Sequence, residues 1–214
     1  MCIRDSRSRI RQTLGDTSAA RYSNDHIDEA VRRALADLSA VLPNLASGSL
    51  TLSAAGRAVD LSSFPNIRSV LSLRFPYNPA AAPETSRHTA YYFCHSSGSP
   101  TLHIQGAREP QPGDAIFIEY SADHTIAELD AAAQTTLPDS FAHILVTGAA
   151  AYAALFRSSR IAEAHGSRAS DLNQLYQWGS QLMQTFRSML AGLKSTPIAQ
   201  RRPPGRWRLD TWDK

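Results

Sequence analysis

Hydropathy along this chain changes its period twice. Apolar residues recur at three- and four-residue spacing from Asn24 to Leu42, where Ile27, Val31, Ala34, Leu35, Leu38 and Leu42 form one stripe. From Ser49 to Tyr120 the spacing drops to two, and from Pro138 to Leu193 the helical spacing returns. A 3.6-residue period packs one face of a helix, whereas a period of two packs one face of a strand. The order is therefore helix, β insertion, two helices and tail, with no internal repeat. This predicts an α+β fold: a helical bundle with an inserted small antiparallel β-sandwich or barrel and an extended C-terminal arm. The corresponding ranges are 7–48 and 121–194 for the bundle, 49–120 for the insertion and 195–214 for the arm.

Local signals set the element ends. Ser23 suits a helix N-cap, Tyr22 can staple onto Ile27, and Asp25, Asp28 and Glu29 occupy the first two turns, where the helix dipole favours anions. Pro43 closes that helix, and Ile10–Leu14 before Gly15 predicts a shorter one. Strands are expected at 49–53, 58–61, 70–75, 91–95, 101–104 and 115–120. Ser96–Pro100 and Pro110–Asp114 are turns, and Pro76–Thr89 is an exposed loop. A helix is expected from Pro138 to Ala164. A last one starts at Asp171 and buries Leu172, Leu175, Tyr176, Gly179, Leu182, Met183, Phe186, Met189, Leu190 and Leu193. Gly148–Ala151 would let another backbone approach closely, most commonly one from the same chain.

Charge placement narrows the function classes. The 214 residues carry a formal net charge of +3. Residues 1–11 hold Arg4, Arg7, Arg9 and Arg11 against Asp5, and residues 201–214 hold Arg201, Arg202, Arg206, Arg208 and Lys214 against Asp210 and Asp213. Each end is thus +3 and the body between them −3. A nucleic-acid binder normally clusters its cations on a folded face. The longest apolar run, Ile144–Phe156, falls short of the ~20 residues a membrane span needs, and no apolar segment follows the N-terminal charges as in a secretory signal. Residues 1–6 match a translated sequencing adapter and are set aside, Cys2 with them. Cys94 is then alone, which suits a reducing compartment.

Catalytic patterns are weak. Cys94, His95 and His103 flank one turn, but no Cys-x-x-Cys accompanies them, and neighbours on a strand point to opposite faces. No Gly-x-Ser-x-Gly elbow and no phosphate-binding Gly-Lys-Ser/Thr occurs. Asp123, His124, Glu128 and Asp130 resemble an acid/base cluster, although capping and solvated loop positions explain them as well. The expectation is no enzyme activity, no cofactor and no metal.

The tail is the most unusual segment. Arg201, Arg202, Arg206 and Arg208 interleave with Trp207, Leu209 and Trp212, beyond any helix that could bury them. Two of the three tryptophans lie here, although disordered segments are poor in aromatics. Trp and Arg are the side chains most enriched at binding hot spots. These seven residues are the candidate partner-binding site. The alternatives are a loose tail and one that folds back on its own domain.

Several stretches together resemble a known family. They are Leu14-Gly15-Asp16, Tyr22-Ser23 ahead of Ile27–Val31 and Ala34–Ser39, Pro110–Asp114, His124-Thr125-Ile126, Thr136-Leu137-Pro138 and Arg206–Asp210. Their layout, over most of residues 10–213, is similar to head-to-tail adaptor (connector, head completion) proteins of tailed bacteriophages. The resemblance implies a virion structural protein, made in the bacterial host cytoplasm and placed at the head-tail interface. It implies a homo-oligomeric ring, usually a dodecamer, beneath the portal protein. Residues 200–213 would dock on the portal, and residues 49–120 would face neighbouring subunits or a tail or second connector protein. DNA would pass through the channel without specific binding, and no membrane is involved. The alternative is a nucleic-acid-associated protein using its basic termini.

Overall fold

The computed structural model describes residues 1–78, 89–96, 98–164 and 169–194. The chain is mixed α and β, with two compact units: Met1–Asn44 together with the described part of Asp123–Gln200, and Leu45–Ala122.

The first unit holds α1 (Ile3–Thr13), α2 (Asn24–Val41), a 3₁₀ turn at Asp139–Phe141, α3 (Ala142–Ala164) and α4 (Ala169–Lys194). The apolar stripe of α2 is buried as its spacing requires, with Ile27, Val31, Ala34 and Leu38 fully enclosed. Its start is capped by Ser23, whose Oγ accepts from the His26 amide at 3.3 Å. Leu145 and Ala149–Ala151 of α3 share this core with Met183, Phe186 and Leu190 of α4. The stretch Asp139–Ala162 is long and apolar enough to cross a membrane, a length that the interrupted 144–156 run does not reveal. Yet 56% of its apolar window is buried inside the unit, which accounts for its composition.

Three expectations need correction. Residues 1–6, set aside in the sequence reading, belong to the first unit. Ile3 opens α1 and is 2% exposed, Ser6 is fully buried, and the Ile3 amide donates to the Ala127 carbonyl at 3.1 Å. Helix α1 is accordingly eleven residues long rather than the short helix expected over Ile10–Leu14. Tyr176, placed on the buried side of the last helix, is 57% exposed, because the side of α4 that meets the core runs through Leu175, Trp178 and Leu182.

The second unit has six strands among the described residues: β1 (Asn44–Thr51), β2 (Ala58–Asp60), β3 (Ile67–Arg74), β4 (Tyr91–Ser96), β5 (Ser99–Ile104) and β6 (Ala115–Ala122). They form two three-stranded sheets, ordered β1-β6-β3 and β2-β5-β4. Leu73, Leu102, Ile104, Ile116 and Ile118 make their common core. Tyr91 of β4 ties one sheet to the other by donating its hydroxyl to the Val70 carbonyl on β3, 3.0 Å away. Alternation in β6 puts Ile116, Ile118 and Tyr120 inward, and Gly113 provides the left-handed turn (φ 89°) that feeds it. Strand β1 begins five residues before the expected position, directly after Pro43.

Candidate functional site

The partner-binding residues expected from sequence, Arg201, Arg202, Arg206, Trp207, Arg208, Leu209 and Trp212, all lie outside the described residues. Several of the other charged and reactive groups singled out in the sequence do lie among the described residues.

The basic N-terminus is used within the first unit. Arg4 pairs with Glu128 at 3.2 Å, and Arg7 forks onto Asp28 through two bonds of 2.8 and 2.5 Å. Arg11 donates to the Tyr22 carbonyl and to Asn24. A guanidinium committed to a carboxylate fork, as that of Arg7 is, has little left for a phosphate.

The acidic loop dissolves into structural pairs in the same way. Asp130 accepts two bonds from Arg32 Nε and one from Nη2 at 2.7 Å, and that guanidinium holds its carboxyl below the usual aspartate range. Glu128, Asp130 and Ala131 adopt left-handed backbone (φ 70°, 51° and 60°), a cluster of costly conformations that these ion pairs help to fix. His124 is buried. Its amide donates to Ser39 Oγ at 3.0 Å, and its Nδ1 lies 3.1 Å from the Thr136 hydroxyl. Burial pushes the imidazole below its ordinary value. These are the relations of a packed loop, not of an acid and a base converging on a substrate.

In the second unit the register separates the proposed ligands. Cys94 stands opposite Thr101, and His95 opposite Pro100. His103 instead stands opposite Tyr92 and stacks on its ring with centroids 4.3 Å apart. Among the described residues no three of His, Cys, Asp or Glu come together as a metal would need.

The small-residue stretch of α3 serves the unit itself. A Cβ on Gly148 would lie 2.6 Å from Phe186 Cε2, so the fully buried Phe186 ring of α4 occupies the space a side chain would take. Gly179 of α4 meets Ala154 and Leu155 of α3 in the same manner.

One concave feature had no counterpart in the sequence reading. A cleft of about 270 Å³ is lined by Arg21, Tyr22, His26, Ala153, Phe156, Arg157, Arg160 and Ile161. Arg157 and Arg160 are three residues apart, hence on one side of α3. The only signal available beforehand was that spacing, which any solvated helix face displays.

No curated protein matches this chain. Among solved structures it is similar to a chain in the neck of an empty gene transfer agent particle computed with C6 symmetry, at 18% identity, covering 79% of this chain and 81% of that one with a TM-score of 0.32. It is also similar to a chain in the native particle's neck computed with C12 symmetry, at 19% identity, 78% and 79% coverage and a TM-score of 0.31. A third similarity is to a chain in the virion of the native gene transfer agent particle, at 20% identity, 79% and 81% coverage and a TM-score of 0.33. Residues 3–207 match the SU10 adaptor protein family, nearly the whole sequence. The chain belongs to the SU10 adaptor protein family.

Proposed function

We propose that this chain is one subunit of a closed ring, a dodecamer, that sits beneath the portal vertex and joins it to the tail around a DNA channel. As a head-to-tail adaptor the protein is a structural component of the virion at the head-tail interface. The observation that carries the ring reading is the extent of the family match, which spans both units and runs on into the Arg- and Trp-bearing tail as far as residue 207. On this reading the helices of the first unit form the bundle of the ring. The two small sheets form a β-sandwich facing neighbouring subunits or the tail-side connector. Closure requires two different patches on each subunit. The role calls for no reaction and no cofactor.

Residues 195–214 act as the portal-binding arm, with Arg201, Arg202, Arg206, Trp207, Arg208, Leu209 and Trp212 as its contacts. An arm that orders on binding loses about 2–5 kcal/mol of conformational freedom. Two tryptophan anchors, each contributing about 2 kcal/mol or more at a hot spot, offset that loss. Many arms held by one ring add avidity. The net negative body suits a conduit, since every cation contacting phosphate adds salt-dependent grip and slows passage.

The test is co-purification with the portal protein of the same particle. The full chain should be retained, and a chain ending at Lys194 should be lost. Replacing Trp207 and Trp212 together by Ala should weaken retention about a thousandfold, equivalent to about 4 kcal/mol. Equal retention of the shortened chain would remove the arm from the interface.

A further inference from the structure

The cleft between the segment leading into α2 and the C-terminal half of α3 combines cationic side chains with apolar walls. Three arginines, Arg21, Arg157 and Arg160, contribute to its walls beside His26. None of the three is paired with a carboxylate among the described residues, although Arg4, Arg7, Arg32, Arg33 and Arg108 all are. Arg157 donates instead to the Arg21 carbonyl, and its guanidinium carbon sits 5.2 Å from the Tyr22 ring centroid. Arg160 donates to His26 Nε2. The remaining walls are apolar: Tyr22 and Ala153 are buried, and Phe156 and Ile161 are partly so. Three like charges on a recess of low polarity favour an anion there, and the Asp16 carboxylate beside Tyr22 is already committed to the amides of Ala20, Arg21 and Tyr22.

We propose that this cleft is a docking site for an extended acidic segment of another protein, with one aromatic side chain lying between its carboxylates. The guanidinium groups supply planar forks that match carboxylate geometry, and the apolar wall accepts the ring. Charge complementarity chooses the occupant. A DNA duplex presents its phosphates on a convex surface, where protruding cations reach them without an apolar recess. A concave site with a few convergent polar groups is instead the form that takes a single anchoring side chain. The inference does not depend on the role of the arm, because every residue it uses lies in the first unit.

Fluorescence anisotropy with a labelled peptide Glu-Asp-Trp-Asp-Glu, capped at both ends, tests it on the full chain at low ionic strength. Saturable binding is expected. It should weaken about tenfold or more when the four acids become their amides, and again when Trp becomes Gly. Arg160→Glu, an exposed substitution on α3, should abolish binding while leaving the helical circular dichroism unchanged. Arg157→Gln should weaken it as well. Should that variant unfold through loss of the Tyr22 contact, Arg160→Glu still decides. Equal binding of the amide peptide, indifference to Arg160→Glu, absence of saturable binding, or tighter binding of a duplex of about 20 base pairs would each overturn the proposal.

Discussion

Asp16 shows how much of the fold can hang on one side chain. It is 2% exposed, and its two oxygens accept from the amides of Ala20, Arg21 and Tyr22 at 3.0–3.2 Å. Its own amide donates to the Arg11 carbonyl, so the residue ties the end of α1 to the entry of α2. Burial alone would push its carboxyl up, but the three amide donors outweigh that and hold it below the usual aspartate range. A folded-state value below the unfolded one means that ionisation stabilises the fold above about pH 4. That contribution fades as acid brings the pH down through the folded value. Asp16→Ala strands three amides and should cost about 3 kcal/mol in urea unfolding at pH 7. The gap between the two proteins should narrow on acidification below pH ~4; a gap that stays constant with pH would show that the charged form is not what the amides recognise.

At the scale of elements, legibility followed the presence of local chemistry. The ends of α2 were readable because Ser23 and Pro43 act through their own atoms, and the β4–β5 hairpin because its turn residues accept turn dihedrals. The start of β1 was not: burial alternates along it, but Asn44, Ala46 and Gly48 take the half-buried side while Leu45 is exposed, so hydropathy does not follow the alternation. The face of α4 was misjudged at Tyr176 because a wide apolar stripe does not say which edge meets a neighbour. The α3–α4 contact offers a sharp test. Gly148→Ala gains about 1 kcal/mol of helix propensity but drives a methyl to 2.6 Å from a ring that is fully enclosed. Overpacking costs about 1–3 kcal/mol, so the variant should be less stable by up to about 2 kcal/mol. Gly192→Ala on the same helix pair meets no atom within 4 Å and should be stabilising. A matching sign for both in thermal unfolding would mean that the Phe186 ring moves aside and that close approach is not what Gly148 provides.

For the whole molecule, the α+β order was legible from the change of period and the family from the resemblance of several short stretches, whereas the cleft was not, because its residues come together only when the segment before α2 meets α3. The arm residues nominated from sequence remain a proposal, resting on composition and on the family match. The two units keep separate apolar cores, one of helices and one of strands. The chain leaves the first unit into β1 and returns from β6, and these are adjacent strands of eight residues each. Bonds from the Leu52 amide to the Asp114 carbonyl and from the Gly113 amide to the Leu52 carbonyl show that they run antiparallel, so Asn44 and Ala122 emerge at the same end. Such neighbours lie about 5 Å apart, a gap a few residues can close. Joining Asn44 to Asp123 through a short Gly-Ser linker should therefore leave the helical unit able to fold alone, with a helical circular dichroism spectrum and one cooperative unfolding transition. A molten or aggregating product would mean that the helical core depends on the β insertion for more than continuity of the chain.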